Sequence, residues 1–335
     1  MPKGRILSGM RPTDRLHLGN YEGALKNWVA LQDEFEMFTM IADWHALTTG
    51  YERSREMRKF VREVAIDYVS AGLSPEKCAI FVQSEVKEHA ELALLFSMIT
   101  PTPWLIRNPT LKEQARDLGL AEDESDLVKI NFGLLGYPVL QAADILIYKA
   151  NYVPVGEDQV PHVELSREIA RRFNFLYGEV FPEPKAKLTK IARLPGLDSK
   201  KMSKSLGNII YLSDDVEAIG QKIATMFTDP TRIRKSDPGD PKERGCPVYR
   251  YHELYNGSDS EQVEAECRNT ALGCVACKKA LSAKIVETLS PIRERRAQIE
   301  SRPGYIEDIL ADGAIRARKT AQETMAEVKE HMGLW

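Results

Sequence analysis

Short apolar runs alternate with helical patterns over the first 205 residues, and this alternation constrains the fold most. The apolar runs cover Met37–Ala42, Ala79–Gln83 and a weaker stretch at Asn151–Val155, while helical patterns cover Arg53–Ser70 and Val160–Phe173. Strands that are separated by helices pair in parallel, and helices then cover the sheet. We therefore predict the α/β fold class, with a parallel sheet in this part of the chain.

The strand pattern fades after residue 205. Helical patterns there cover Asp214–Phe227, Asp259–Asn269, Lys278–Leu289 and Ile315–Met332, with loops rich in Pro, Gly and Asp between them. We therefore predict two domains: a parallel-sheet domain over residues 1–205 and an all-helical domain over residues 206–335.

Composition limits the class of protein. The chain has 335 residues, 43% hydrophobic content and a formal net charge of -3, without a run of about 18 apolar residues or an apolar signal core. We expect a cytoplasmic protein without a membrane segment. A net negative charge argues against nonspecific coating of nucleic acid, so RNA contacts would need local basic clusters. Such clusters are usually solvated faces; the candidates are Arg232–Lys235, Arg293 with Arg295 and Arg296, and Arg316 with Arg318 and Lys319.

Two short motifs indicate chemistry on a polyphosphate. Lys201-Met202-Ser203-Lys204-Ser205 lies in a polar stretch, and lysines three apart on a loop can meet phosphates with two point charges. His17-Leu18-Gly19-Asn20 lies between the predicted strand Arg5–Ser8 and a helical pattern that begins at Asn20. A helix N-terminus favours phosphate, and glycine lets a ligand approach the backbone. Each motif alone is often structural, so the pair carries the prediction.

The two motifs resemble the paired HIGH and KMSKS signatures of class I aminoacyl-tRNA synthetases, whose members bind ATP between them. Three further segments, Ala42–Thr48, Tyr137–Leu146 and Val153–Gln159, are similar to bacterial tryptophanyl-tRNA synthetases. The resemblance runs from Ile6 to about Leu334. It implies a Rossmann-like catalytic domain over residues 1–205, a helical anticodon-binding domain over residues 206–335, and a homodimer.

The reaction that the resemblance implies has two steps. The tryptophan carboxylate attacks the α-phosphorus of ATP, which carries Mg²⁺, and pyrophosphate leaves. The terminal ribose of the tRNA for tryptophan then takes the aminoacyl group. Because the carboxylate is already a nucleophile, the enzyme has to align the reactants and stabilise the charge on pyrophosphate, which suits Lys201 and Lys204.

The resemblance also assigns site residues. The predicted catalytic residues are Lys201, Lys204, His17 and Asn20. The predicted ATP-binding residues are Arg11, Pro12, Thr13, Gly19, Asn20, Gly156, Glu157, Asp158, Leu194, Lys201, Met202, Ser203, Lys204 and Ser205. The predicted tryptophan-binding residues are Leu7, His45, Tyr137, Gln141, Asp144, Ile145, Val153, Val155 and Gln159. Leu7, Arg11 and Gln141 depart from the side chains common in the family, which are Phe, Gln and Met.

Asp144 has a physical reason to bind the indole. Tryptophan offers one N–H donor and no side-chain acceptor, and Asp144 is a carboxylate within the apolar sequence Ala142–Leu146, where an unpaired charge is costly. An alternative is a structural Asp that other protein groups satisfy. Tyrosine could also donate to an Asp, so the choice of tryptophan depends on the resemblance at Asp43–His45 and Gly156–Gln159.

Four of the five cysteines form a group in the helical part, with the pattern C-x20-C-x6-C-x2-C. They are Cys246, Cys267, Cys274 and Cys277, while Cys78 lies apart in a predicted strand. In a reducing compartment such a group is more often a metal site than a pair of disulfides, and four thiolates suit either zinc or an iron-sulfur cluster. A subset of tryptophanyl-tRNA synthetases has a similar pattern with a longer first gap. That resemblance implies a 4Fe-4S cluster near the anticodon-binding region.

Two other classes of protein remain open. A small nucleotidyltransferase would share the ATP motifs but would not need a second helical domain. An RNA-binding regulator descended from a synthetase would have lost one of His17, Asn20, Asp144, Lys201 or Lys204, and this chain has all five. An active synthetase is therefore the prediction.

Overall fold

A computed structural model describes residues 2–117, 119–120, 129–188, 194–204, 206–234 and 236–335 of the chain. Within them, five parallel strands form a sheet with the order β3-β2-β1-β4-β5. The strands are β1 (Arg5–Met10), β2 (Glu36–Ile41), β3 (Cys78–Val82), β4 (Tyr152–Val155) and β5 (Lys185–Leu188). The predicted parallel sheet is confirmed.

Most of the other regular structure in the described ranges is helical. The α-helices are α1 (Leu18–Asn20), α2 (Lys26–Leu31), α3 (Asp43–Gly50), α4 (Met57–Ala71), α5 (Glu88–Ile99), α6 (Thr102–Ile106), α7 (Pro109–Asp117), α8 (Phe132–Ile147), α9 (Val160–Tyr177), α10 (Val216–Ala224), α11 (Pro247–Tyr255), α12 (Asp259–Arg268), α13 (Cys274–Glu300) and α14 (Tyr305–Met332). A π-helical turn, Tyr21–Leu25, joins α1 to α2, and short 3-10 helices cover Tyr51–Glu56, Gln83–Glu85 and Glu157–Gln159. No helix in the described ranges is both long enough and apolar enough to cross a membrane.

The chain forms two compact units that do not follow the predicted division at residue 205. One unit contains residues 1–14, 27–190 and 302–335, and the other contains residues 15–26 and 191–301. The last helix, α14, therefore belongs with the sheet, although the sequence predicted it as part of the helical domain.

The packing of α14 explains this difference. Its apolar stripe, which includes Ala317 and Met325, is part of the same core as β2, β3, α5 and α8. Gly313 lies directly against β3, since a Cβ at this position would be 1.9 Å from the carbonyl oxygen of Ile80. Small residues on one face let the helix backbone approach the strand closely. A helical pattern alone does not reveal which surface its apolar face covers.

The strand order creates a crevice. The chain turns outward from β1 in one direction to β2 and β3, and in the other direction to β4 and β5. Ligands of such sheets bind beyond the carboxyl ends of the strands where the order reverses, which here is between β1 and β4. The segments that follow these two strands begin at Arg11 and Gly156, and both were predicted to bind ATP.

Candidate active site

Asp144 is the centre of a buried hydrogen-bond network in the sheet unit. It lies on α8, is 1% exposed, and is held by donors from three other segments. His45 Nε2 donates to Oδ2 at 2.6 Å, whereas His89 Nδ1 at 2.6 Å and Gln83 Nε2 at 2.8 Å both donate to Oδ1. The sequence prediction that this carboxylate needs partners is confirmed.

These donors keep Asp144 ionised. Burial alone would raise the pKa of the carboxyl group, but the imidazoles of His45 and His89 outweigh it, so that the pKa falls to about 2. A carboxylate has about four acceptor positions, and the three donors leave roughly one of them, on Oδ2. This arrangement combines a structural role with room for one more N–H donor.

The sequence analysis missed Gln83, His89 and Tyr148. The Tyr148 hydroxyl lies 2.7 Å from His89 Nε2, and burial followed by the Asp144 charge raises the pKa of this phenol well above its usual value. The protonated phenol therefore donates to His89, which in turn donates to Asp144. The available signal was the one used for Asp144, because Gln83 and His89 are polar residues beside apolar strand and helix sequences.

A second network surrounds Tyr137, about two turns before Asp144 on α8. The Tyr137 hydroxyl lies 2.8 Å from His162 Nε2, and His162 Nδ1 lies 3.1 Å from Asn108 Nδ2. The cation of Arg11 acts on Tyr137 and opposes the rise in the pKa of this phenol that burial causes. Tyr137 and Arg11, both predicted site residues, are thus close together.

The other residues predicted to bind tryptophan differ in exposure. Leu7, Ile145 and Val153 are at most 5% exposed and belong to the main apolar core, while Gln141, Val155 and Gln159 are partly exposed. Gln159 Nε2 donates to Asp158 Oδ2 at 3.0 Å, which links two predicted ligand-binding residues. Side chains in the core can form a wall of the pocket, and the partly exposed ones can reach a ligand.

His17 is the N-cap of α1 in the second unit. Its Nδ1 accepts from Gly19 N at 3.1 Å, and Asn20 Oδ1 accepts from His17 N at 3.1 Å, so the two side chains form a reciprocal capping box. Burial, followed by the charge of Lys204, lowers the pKa of His17 to about 4. The imidazole is therefore neutral at pH 7 and holds the start of the helix through geometry.

The two predicted ATP motifs meet within this unit. A Cβ at position 19 would lie 2.7 Å from Met202 Sδ, so Gly19 leaves space for the methionine of the other motif. The electrostatic effect of Lys204 on His17 places these two side chains close together as well. The sequence predicted both motifs, and the structure brings their residues 17–20 and 201–204 side by side. Ser205 lies outside the described residues.

Asn208 organises the loop that carries Lys201 and Lys204, which we call the lysine loop. No role was predicted for Asn208 from the sequence. Its Nδ2 donates to Asp198 Oδ1 at 2.7 Å and to the Lys201 carbonyl at 3.0 Å, while its Oδ1 accepts from Ser203 N at 2.8 Å. Gly196 is required beside it, since a Cβ there would lie 2.4 Å from Nδ2. One buried amide thus fixes the backbone that carries the two lysines.

The four grouped cysteines line one cavity. Cys246 caps α11, Cys267 lies on α12, and Cys274 and Cys277 lie in the first turn of α13. Burial and the other three cysteines raise the pKa of the Cys277 thiol to about 12. Among the described residues, no three Cys, His, Asp or Glu side chains converge as a site for one metal ion. The cysteines nevertheless bring three helices together at one place.

Three arginines of the basic clusters make contacts within the protein. Arg232 is 8% exposed and its Nη1 donates to Cys267 Sγ at 3.3 Å, inside the cysteine cavity. Arg316 donates to the carbonyl oxygens of Pro75 and Cys78, and Arg318 donates to that of Glu85, so both hold α14 to the sheet unit. Lys235, in the first cluster, lies outside the described residues.

Comparison with known proteins agrees with this geometry. The family model of class I tRNA synthetases for tryptophan and tyrosine matches residues 2–290. The chain is 51% identical to the tryptophan--tRNA ligase of Thermotoga maritima, over 98% of this chain and 99% of the relative. It is 46% identical to the tryptophan--tRNA ligase of Aquifex aeolicus, over 98% of this chain and 100% of the relative.

A solved structure gives the same result. The tryptophanyl-tRNA synthetase of Campylobacter jejuni, which was crystallised with ADP and tryptophan, superimposes with a TM-score of 0.85 at 33% identity, covering 98% of this chain and 100% of the other. Together with the sequence relatives and the parallel sheet, this places the chain in the tryptophanyl-tRNA synthetase family of class I aminoacyl-tRNA synthetases.

Proposed function

We infer that this chain is an aminoacyl-tRNA synthetase that joins L-tryptophan to its tRNA at the expense of ATP. This conclusion rests on 46% and 51% sequence identity to two tryptophan--tRNA ligases over 98% of the chain. The enzyme first forms tryptophanyl-adenylate and pyrophosphate, and then transfers tryptophan to the 3' terminal ribose of the tRNA. The carboxylate of tryptophan is the nucleophile, so no covalent intermediate with the enzyme is needed.

Asp144 is proposed to accept the indole N–H through the remaining acceptor position on Oδ2. Phenylalanine has no such donor and would leave that position unsatisfied in a site closed to water. Sites built to bind a polar group reject an analogue that lacks it strongly, by as much as ~10⁴-fold, because the buried partner stays unpaired. Selection of tryptophan over phenylalanine then needs no editing domain.

The remaining polar residues are proposed to orient the amino acid. Tyr137 and Gln159 are assigned to its amino group, and His45 and Arg11 to the neighbourhood of its carboxylate. The electrostatic effect of Arg11 on Tyr137 supports this, since two groups that serve one small ligand must be near each other.

The nucleotide is proposed to bind at residues 17–20 and 201–204, with Arg11, Pro12, Thr13 and the segment Gly156–Asp158 contacting the rest of it. His17 is neutral and holds the start of α1 in position. Lys201 and Lys204 stabilise the charge that builds up on pyrophosphate, together with Mg²⁺. Leu194, Met202, Ser203 and Ser205 are assigned to the same site. The capping box and the Asn208 contacts support the rigid positioning that this step requires.

ATP–pyrophosphate exchange tests the first step. Purified protein should exchange label with tryptophan and show no exchange above background with tyrosine or phenylalanine. Lys204→Ala should slow exchange by at least ~100-fold, the range for removal of one charge-stabilising group. Lys200→Ala is the matched control, because it removes a lysine from the same loop that has no assigned role. Equal rates for the two variants, or exchange with tyrosine, would contradict the proposal.

We also propose that Cys246, Cys267, Cys274 and Cys277 hold a 4Fe-4S cluster rather than zinc. The four thiols line one cavity, which supports a single shared centre, and a cluster would bind each cysteine through a different iron. The choice of a cluster over zinc rests on the resemblance to the subset with the similar cysteine pattern. The Arg232 guanidinium beside Cys267 would stabilise thiolate charge. When bound, the cluster would join α11, α12 and α13.

Iron, zinc and acid-labile sulfide are to be measured on protein purified without oxygen. A cluster predicts about equal iron and sulfide, with broad absorption in the visible range; one equivalent of zinc without sulfide would support the alternative. The helices after residue 205 are proposed to bind the anticodon, where unpaired bases are read by stacking and hydrogen bonds. A homodimer and a cytoplasmic location complete the proposal.

A further inference from the structure

A buried series of hydrogen bonds ends at the Tyr137 hydroxyl. It begins at the backbone N–H of Thr110, which donates to Asn108 Oδ1 at 3.0 Å. Asn108 Nδ2 then lies 3.1 Å from His162 Nδ1, and His162 Nε2 lies 2.8 Å from Tyr137 Oη. Asn108, Tyr137 and His162 are 6%, 7% and 1% exposed, so water does not compete for these contacts.

The Thr110 N–H, where this series of hydrogen bonds begins, determines the donor and the acceptor in each of them. A backbone N–H can only donate, so the oxygen of the Asn108 amide must face Thr110, and its NH₂ group must face His162. The NH₂ group also only donates, so His162 Nδ1 has to be the unprotonated nitrogen. The proton of the neutral ring is then on Nε2, and it is donated to Tyr137 Oη.

The position of His162 keeps the ring neutral. Burial, together with the nearby His45, lowers the pKa of His162 to about 4. The ring therefore carries one proton at neutral pH, on the nitrogen that faces Tyr137.

Tyr137 is left with a proton that His162 cannot accept. Its neighbour Arg11 has only donors and cannot accept it either. An amino-acid ligand offers a donor-only ammonium group and an acceptor-only carboxylate. Of the ligand's two charged groups, only the carboxylate can accept the hydroxyl proton, while one acceptor position on Oη remains for an N–H.

We propose that Asn108 and His162 are positioning residues that direct the hydroxyl proton of Tyr137 toward a carboxylate oxygen of the bound amino acid. This inference rests on the proposed function and adds to it, because the amino group is the only ligand group that was assigned to Tyr137. Asn108 acts without touching the ligand. It fixes the tautomer of His162, and His162 in turn fixes the direction in which the Tyr137 hydroxyl donates its proton.

The protonation of His162 can be tested without any ligand. In ¹⁵N spectra of histidine-labelled protein, assigned with His162→Gln, His162 should show a protonated Nε2 and an unprotonated Nδ1 from pH 6 to pH 8. Asn108→Ala should produce a mixture of tautomers. A protonated Nδ1 in the unchanged protein would overturn the proposal, whatever reaction the enzyme catalyses.

The direction of the Tyr137 proton is tested with two ligands. Asn108→Ala should raise KM for tryptophan in pyrophosphate exchange about three- to tenfold, the value of one hydrogen bond, with little change in kcat. Inhibition by tryptamine, which has the indole and the ammonium group but no carboxylate, should be unchanged. Equal weakening of both ligands would overturn the proposed direction.

A double variant separates this effect from general damage. In the Tyr137→Phe background, Asn108→Ala should have no further effect on KM for tryptophan, since the hydroxyl through which it acts is gone. The same loss in both backgrounds would show a merely structural role and overturn the proposal. Absence of exchange by the unchanged enzyme would count against the proposed function alone, since the spectra do not depend on it.

Discussion

Asp144 keeps its negative charge inside the sheet unit because donors from α3, from the 3-10 helix Gln83–Glu85 and from α5 converge on it. None of the three donors is close to it in sequence, since His45, Gln83 and His89 are 99, 61 and 55 residues away. A buried carboxylate of this kind is costly unless each donor is present. The same side chain therefore contributes to folding and to the proposed recognition of tryptophan.

Asp144→Asn tests both contributions. An amide has one acceptor oxygen, and its NH₂ group would face a histidine donor, so the variant should lose ~2–3 kcal/mol of unfolding free energy at pH 7. It should also lose exchange with tryptophan. The folded carboxyl has a pKa of about 2 against the ordinary 3.8, so its stabilisation is present above pH 3.8 and is lost as the pH falls through 2.

Urea unfolding of the variant and the unchanged protein, at pH 7 and at pH 3, measures this difference. The gap should be smaller at pH 3. Asp312→Asn, which changes an exposed carboxylate on α14, controls for loss of charge and should change stability by less than ~0.5 kcal/mol. A gap that is independent of pH would contradict the ionised state of Asp144.

His17 should make the protein sensitive to mild acid. Its folded pKa of about 4 lies below the ordinary 6.5, so the unfolded chain binds a proton that the folded chain does not. Its stabilisation is complete above pH 6.5 and is lost as the pH falls toward 4, at up to ~1.4 kcal/mol per pH unit. His17→Asn keeps an N-cap acceptor but does not titrate, so its urea midpoint should fall less over this range. His17→Ala should lose about 1 kcal/mol even at pH 7.5.

At the scale of elements, the sequence predicted those strands whose buried side chains give an apolar pattern. Strands β2, β3 and β4 were predicted from apolar runs, and β1 was predicted at Arg5–Ser8. Strand β5 was missed, since Lys185-Ala186-Lys187-Leu188 alternates polar and apolar side chains at the edge of the sheet. Its pairing with β4 determines its conformation, and a single segment does not contain that information.

Helix α11 was missed for a related reason. Its sequence begins with Pro247 and contains three tyrosines, which have no strong helical preference. Its buried face decides the conformation: Tyr251 is fully buried and donates to the Pro195 carbonyl at 2.8 Å, at the base of the lysine loop. The networks around Asp144 and Tyr137 were missed likewise, because they depend on contacts between distant segments. Sequence motifs identified the residues that we assign to ligands more readily than those that support them.

A matched pair of glycines tests the attachment of α14. Gly313→Ala places a Cβ against the Ile80 carbonyl and should reduce the unfolding free energy by about 1–3 kcal/mol, because strand and helix cannot both keep their positions. Gly220→Ala, inside α10, finds its nearest neighbour at 3.9 Å and should stabilise by ~0.5–1 kcal/mol through helix propensity. Thermal unfolding of the two variants measures the difference. A stable Gly313→Ala variant would contradict the close packing of α14 on β3.

At the scale of the whole molecule, the proposed functions divide between the two units. The residues assigned to tryptophan all lie in the sheet unit, whereas residues 17–20, residues 201–204 and the four grouped cysteines lie in the other. The two half-reactions should therefore respond differently to damage. Changes near Asp144 should abolish both activation and transfer, since transfer needs the adenylate.

Loss of the proposed metal centre at the four grouped cysteines should affect transfer to tRNA more than activation of tryptophan, because we propose that this centre supports binding of the anticodon. Cys274→Ser should lose bound metal and reduce tRNA charging at least ~10-fold, while pyrophosphate exchange, measured on the same sample, should stay within about threefold, because exchange does not need tRNA. Cys78→Ser, which changes the cysteine in β3, should keep both the metal and the charging activity. Equal loss of exchange and charging would contradict the anticodon assignment. The damage would then act through α11, which Cys246 caps and whose Tyr251 holds the base of the lysine loop.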